Sequence, residues 1–260
     1  MMTKTFAVTL ALAAVAFAST AHAGPVFDAN LQHGVIFGSG NGNGGFTVDS
    51  NNGLELAMRA KLRHDATGQP QDIFNSNGNG TYSFAAGVAP TQSGQTAVWS
   101  VEWSINTNTS GTTGQQLNDY TYAFGFDTDP SLGTNYTIVD LINIPFADHA
   151  LGINSTMQQA GGNKATSAAD YATKINTLNV AQNSQKAHWL LGAGFNPTVN
   201  GNYNFYLAAF NNDGTQVGRT DMQVIVGTGA GTAVPEPGSM ALAGAALLGL
   251  AAVRRRHPQA

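Results

Sequence analysis

The chain has 260 residues, with 15 acidic against 11 basic side chains, a formal charge of −4, and no cysteine. Charged residues make up 10% of it, against about 25% in an average soluble protein, and no basic track is present to follow a phosphate backbone, which argues against nucleic acid as a partner. Without thiols there is no cysteine nucleophile, thiolate zinc site, c-type haem attachment or disulfide, so stability has to come from a packed core.

Met1 to Ala23 carries one cation, Lys4, then an apolar stretch from Phe6 to Ala18 and the small-x-small sequence Ala21-His22-Ala23. That pattern predicts a signal peptide, helical in its apolar part, removed by signal peptidase between Ala23 and Gly24. Residues 24–233 then contain 14 acidic and 7 basic side chains, and their length is one that a single all-β domain routinely fills. The stretch Gly40 to Gly45 alternates Gly and Asn and superficially suggests a calcium-binding nonapeptide, but it occurs once. A solenoid needs several copies, so it reads as a flexible loop entering a strand at Phe46.

Period-two alternation governs the chain from Leu54 onward. Leu54, Leu56, Met58, Ala60 and Leu62 face one way and Glu55, Arg59, Lys61 and Arg63 the other, which predicts a strand with one face in the core and one in water. Trp99, Val101, Trp103 and Ile105 alternate in the same manner with Ser100, Glu102, Ser104 and Asn106. Tyr120, Tyr122, Phe124 and Phe126 form a third such face, and Tyr203, Phe205, Leu207 and Ala209 a fourth. Asn-Gly dipeptides at 41, 43, 52, 77, 79 and 200, with Asp213-Gly214, supply turns of positive φ. The clearest hairpin runs from Tyr203 to Phe210 and returns through Val226, with Met222, Val224 and Val226 inward. One stretch keeps helical spacing instead: Ser167 to Asp170 resembles a capping box, and Ala168, Tyr171, Ala172, Ile175 and Leu178 share a face. The expectation is an all-β, antiparallel β-sandwich over 24–226, jelly-roll-like and with one short helix. A flexible linker at 227–233 comes next.

Residues 234–260 differ in kind. Val234-Pro235-Glu236-Pro237 cannot be helical, because each proline lacks an N–H and pushes the residue before it into an extended conformation. An apolar helix from Ser239 to Val253 follows, and then Arg254-Arg255-Arg256. A permanent span needs about 20 residues. This shorter, glycine-marked segment is marginal, and the three arginines hold its end on the cytoplasmic side. The extended strip, short membrane helix and basic cluster resemble the PEP-CTERM sorting domain. That resemblance implies recognition by exosortase, an integral membrane protease, in Gram-negative bacteria that make extracellular polysaccharide. It also implies transient anchoring in the inner membrane before delivery to the cell envelope or extracellular matrix. Val234, Pro235, Glu236 and Pro237 would be the sorting motif and Arg254, Arg255 and Arg256 the basic anchor.

The remaining chain offers little chemistry. Asp127-Thr128-Asp129-Pro130 closes the third strand and reads either as a turn or as a calcium site held by Asp127 and Asp129, with Asp119 and Asp140 in support. Glu55 and Glu102 are the only glutamates before the tail, and both fall on predicted solvent-facing positions, so no carboxylate pair suited to glycoside hydrolysis is evident. Neither His-x-x-x-His nor Gly-x-Ser-x-Gly occurs, and Asp148-His149 reads as a polar pair in a loop. Trp99 and Trp103 alternate as core residues, while Trp189 and Tyr206 could pack or stack on sugar. The functional expectation is a non-enzymatic structural or adhesive protein outside the cell. A carbohydrate-binding module, with or without calcium, is the second reading, and a polysaccharide-active enzyme the third.

Overall fold

In a computed structural model, residues 24–231 are described. The expected signal helix in 1–23, the membrane helix at 239–253 and the sorting and arginine residues lie outside the described residues. Within them the chain is all-β, with eleven strands in two sheets. Sheet A holds β1 (Val26–Ala29), β2 (Phe46–Asn51), β3 (Leu54–Leu62), β5 (Trp99–Asn106), β9 (Val180–Lys186) and β8 (Ala150–Gly152) in that spatial order. Sheet B holds β4 (Thr81–Phe84), β11 (Gln216–Val226), β10 (Gly201–Phe210), β6 (Thr121–Asp127) and β7 (Tyr136–Val139). All pairings are antiparallel except that of β4 with β11, which is parallel and departs from the antiparallel expectation.

The alternating apolar faces meet in one core. Leu56, Met58, Val101, Trp103 and Ile105 from sheet A pack with Phe124, Phe205, Leu207 and Val224 from sheet B. Trp99 lies in a cage of rings, with Phe84, Phe195, Tyr203 and Phe205 at centroid distances of 6.0 to 6.4 Å. Two hairpins form where positive-φ dipeptides predict them. Asn52 and Gly53, at φ 49° and 88°, join β2 to β3 as a type I′ turn does. Gly214, at φ 82°, helps join β10 to β11. The predicted helix is α1 (Ala168–Ile175), where the Ser167 hydroxyl accepts from the Asp170 amide at 3.2 Å. It buries Tyr171 and Ile175 while Ala168 and Ala172 stay exposed. Two further short elements, a 3-10 turn at Leu117–Asp119 and α2 (Ala187–Leu191), add to the single helix expected.

The largest departure concerns the outer face of sheet A, expected in water. Every residue of β5, and every residue of β3 but the last, is buried on both faces. The cover comes from segments with no sequence period. Leu31 and Ile36 pack on Phe46, Val48 and Ala57, and Val35 packs on Ala150 and Val180. The amides of Gly34 and Val35 donate to the Asn154 and Thr156 carbonyls, and Val35 is held at φ 75°, which a β-branched residue rarely adopts. The Gly/Asn stretch expected to be flexible is tied down: Asn43 both accepts from and donates to the Leu31 backbone.

Candidate functional site

Beneath this cover lies a layer of polar side chains. Register places Arg59 opposite Glu102 and Glu102 opposite Ser184, while Lys61 faces Ser100 and Ser100 faces Lys186. Arg59 donates from Nε to Glu102 Oε2 at 2.7 Å and from Nη1 to the Gly42 and Gly44 carbonyls at 2.9 and 2.6 Å. Its guanidinium carbon sits 4.2 Å from the centroids of both Phe46 and Phe74. Lys61 donates to Asn41 Oδ1 and, at 2.6 Å, to Asp72 Oδ1. Burial opposes ionisation of Asp72, but the Lys61 ammonium, the Gly42 amide and the positive field of Lys61 and Arg59 outweigh it and hold its carboxyl below its ordinary value.

A cavity of about 240 Å³ opens beside these groups. Phe37 and Pro70 give it apolar walls, Asn41, Lys61, Arg63 and Ser184 polar ones, and Glu102 also lines it. Arg59, Lys61, Arg63 and Lys186 are four of the seven basic side chains in 24–233, gathered on this face although the segment is acidic overall. At the far end of the layer Glu55 is 1% exposed and one carboxylate oxygen has no partner. Burial pushes its carboxyl up to about 7, against a smaller downward pull from the Gln32 amide.

The residues singled out from sequence have other surroundings. Asp127 is fully buried: Oδ1 accepts from the Asp129 and Asn135 amides at 3.0 and 2.7 Å, and Oδ2 from Asn204 Nδ2 at 3.3 Å. Asp129 accepts from the Ser131 amide at 2.8 Å, Asp140 from the Tyr122, Ile142 and Asn143 amides, and Asp119 from the Gln116 amide. These carboxylates therefore shape loops and turns, and among the described residues no group of three or more His, Asp or Glu is placed to share a metal.

Glu55 and Glu102, expected in solvent, are both buried by the covering segments. His149, expected in a loop, is 3% exposed and leads into β8. Its Nε2 lies 2.8 Å from the Leu141 carbonyl and its Nδ1 2.9 Å from Asn183 Nδ2, so the neutral ring with hydrogen on Nε2 satisfies both. Burial holds its pKa below the ordinary value, against smaller upward pulls from Leu141 and Asp148. Trp99 and Trp103 are core residues as the alternation predicts. Tyr206 is covered by Arg219, 4.1 Å from its ring centroid, whereas Trp189 is 63% exposed with the Lys186 ammonium 5.4 Å from its ring centroid.

The polar layer is not legible in the alternation, which assigns faces without saying what covers them. Part of the signal is present all the same, since opposite charges at outward positions of two strands fit a paired register.

Comparison with known proteins adds one close correspondence and one distant one. No curated protein matches the chain. The soluble domain of PmoD from Methylocystis sp. is 10% identical, over 69% of this chain and 96% of that one, with a TM-score of 0.27, a likeness too shallow to carry an argument. The tail gives the firm result: residues 233–256 match the family model of the PEP-CTERM protein-sorting motif, so the chain carries that motif on an all-β passenger.

Proposed function

We propose that this is an exported, non-enzymatic protein, sorted by exosortase to the cell envelope or extracellular matrix of a Gram-negative bacterium, where it acts by structure or adhesion. The sorting motif at 233–256 carries the reading. Signal peptidase would release Gly24, and the tail helix would hold the chain in the inner membrane until exosortase acts. The repeated crossing of the chain between two sheets supports a jelly-roll-like passenger. Two geometric facts favour a non-enzymatic role. Glu55 lies four residues along β3 from Arg59, the partner of Glu102, a span of about 13 Å at strand rise, whereas inverting glycosidases hold their carboxyls within about 9.5 Å. His149 has both nitrogens engaged.

Sugar binding is the second reading, favoured by the cavity on sheet A with its polar donors and apolar walls. Binding measured with and without calcium tests whether Asp127 and Asp129 assist it. The sorting reading is tested by deleting residues 234–260 in the native host. The expected outcome is a passenger lost from the envelope and matrix fractions but still resistant to protease; unchanged processing and location would overturn it.

A further inference from the structure

We infer that the cavity on the outer face of sheet A binds a carboxylate-bearing sugar, taken as a free sugar acid or as one residue of an acidic polymer. The inference rests on the sugar-binding reading above and names its ligand class.

Charge points to an anion. Arg59 is neutralised by Glu102 and Lys61 by Asp72, which leaves Arg63 at the cavity wall and Lys186 on the same face with no acidic partner among the described residues. Lys61 and Lys186 are separated by β5 alone, about 10 Å at two strand spacings. Arg63 therefore brings unneutralised positive charge to the cavity wall, and Lys186, whose ammonium lies over the Trp189 ring outside the lining, adds to the field from the same face of the sheet. Donors point the same way. Asn41, 8% exposed, has an Nδ2 group with no hydrogen-bond partner, although its Oδ1 is fixed by Lys61. A buried amide N–H₂ left open is costly unless something accepts from it, and here it belongs to a residue lining the cavity. The Lys61 ammonium has three hydrogens, and protein acceptors take two.

Other features narrow the anion. The Glu102 carboxylate lines the cavity, and its oxygens repel a dianion such as phosphate more than a monoanion. The planar fork of Arg63 matches a carboxylate with two parallel hydrogen bonds. Phe37 and Pro70 offer apolar surface to the C–H face of a sugar ring, and Ser184 Oγ, which donates weakly to Ser100 at 3.4 Å, can pair with a ring hydroxyl. A volume of about 240 Å³ suits one monosaccharide unit.

The test is calorimetric titration of the full chain in detergent with D-glucuronate, D-glucose, inorganic phosphate and a glucuronate oligomer. Glucuronate is expected to bind saturably with a Kd of about 1 mM, and glucose and phosphate at least about tenfold more weakly. Arg63→Gln is expected to weaken glucuronate by at least about tenfold and Asn41→Ala by about threefold. Gly38→Leu adds a bulky side chain at a residue that lines the cavity and should abolish binding; a Cβ there meets nothing within 4 Å, so the fold should tolerate it. Arg219→Gln on the opposite sheet should change nothing, and melting temperatures report whether each variant folds. Tighter binding of the oligomer would identify polymer as the source, and equal binding a free sugar acid. Glucose binding as well as glucuronate, or full glucuronate affinity in folded Arg63→Gln and Gly38→Leu proteins, would overturn the inference. Either result leaves the sorting reading untouched, since that stands or falls with tail deletion.

Discussion

Arg59 shows how one side chain can organise a face of the sheet. Its guanidinium is fully enclosed, ion-paired to Glu102, bonded to two carbonyls of the Gly/Asn segment and sandwiched between two phenylalanines. Removing one partner of such a pair leaves the other charged and unsolvated, a loss of about 3–5 kcal/mol, whereas replacing both by apolar groups is often nearly neutral. Glu102→Gln is therefore expected to lower unfolding stability by about 3 kcal/mol in urea denaturation, with Arg59→Met/Glu102→Leu recovering most of it. A loss below about 1 kcal/mol in the single variant would mean that water reaches the pair. Alternation in sequence correctly grouped Glu55, Arg59 and Lys61 on one face of one strand and put Glu102 on the polar face of another, and the structure pairs those strands. Alternation could not show that Leu31, Asn41 and Phe74 fold over them, because those residues lie in aperiodic stretches whose positions depend on distant contacts.

At the scale of elements, sheet B has one close approach that fixes its outer face. Tyr206 on β10 lies directly over Gly125 on β6, with Arg219 on one side and the Tyr136 ring at a centroid distance of 5.2 Å. A Cβ at residue 125 would collide with the Tyr206 ring, so Gly125→Ala must displace the tyrosine from this stack. Overpacking of that kind costs about 1–3 kcal/mol, and thermal unfolding is expected to fall by several degrees; an unchanged midpoint would show that the stack is loose. A second contact ties the ends of sheet A. Asn179 Nδ2 donates to Asn106 Oδ1 at 2.8 Å and to Asn154 Oδ1 at 2.9 Å, linking the approach to β9, the end of β5 and the loop after β8. Replacing Asn179 by Ala removes both bonds, although Asn106 Oδ1 keeps the Asn108 amide and Asn154 Oδ1 keeps Asn106 Nδ2; the cost should be about 1–2 kcal/mol, and amide exchange should speed up at both strand ends. The long strands and the β2–β3 and β10–β11 hairpins were legible, since apolar alternation and positive-φ dipeptides act locally. β7 and β8, of four and three residues, and the parallel docking of β4 were not. Their assignment depends on edges that become available only once the longer strands have paired.

For the molecule as a whole, buried titratable groups set opposing pH trends. Glu55 titrates near pH 7 in the folded chain and near 4.5 when unfolded, so the folded state binds the extra proton between those values. Its contribution is intact below about pH 4.5 and lost as pH rises through 7, a fall of about 3 kcal/mol. Burial lowers His64, His149 and His188. Stability from neutral histidine is present above the unfolded value of 6.5 and lost as pH falls toward the lower folded values. Glu55→Gln should therefore be most stabilising above pH 7 and nearly silent at pH 4, read from denaturation midpoints across that range; a gain independent of pH would refute this assignment. The cover over sheet A has a temporal side as well. Gly34 accepts from the Gln182 side chain, 148 residues further on, and the Gly34 amide donates to Asn154. On a chain that emerges from its amino end, the covering segment comes out early and has nowhere to settle until most of the passenger has followed. Contacts so distant in sequence close slowly, and until they do, the charged row on sheet A stays open to water and to whatever is dissolved in it.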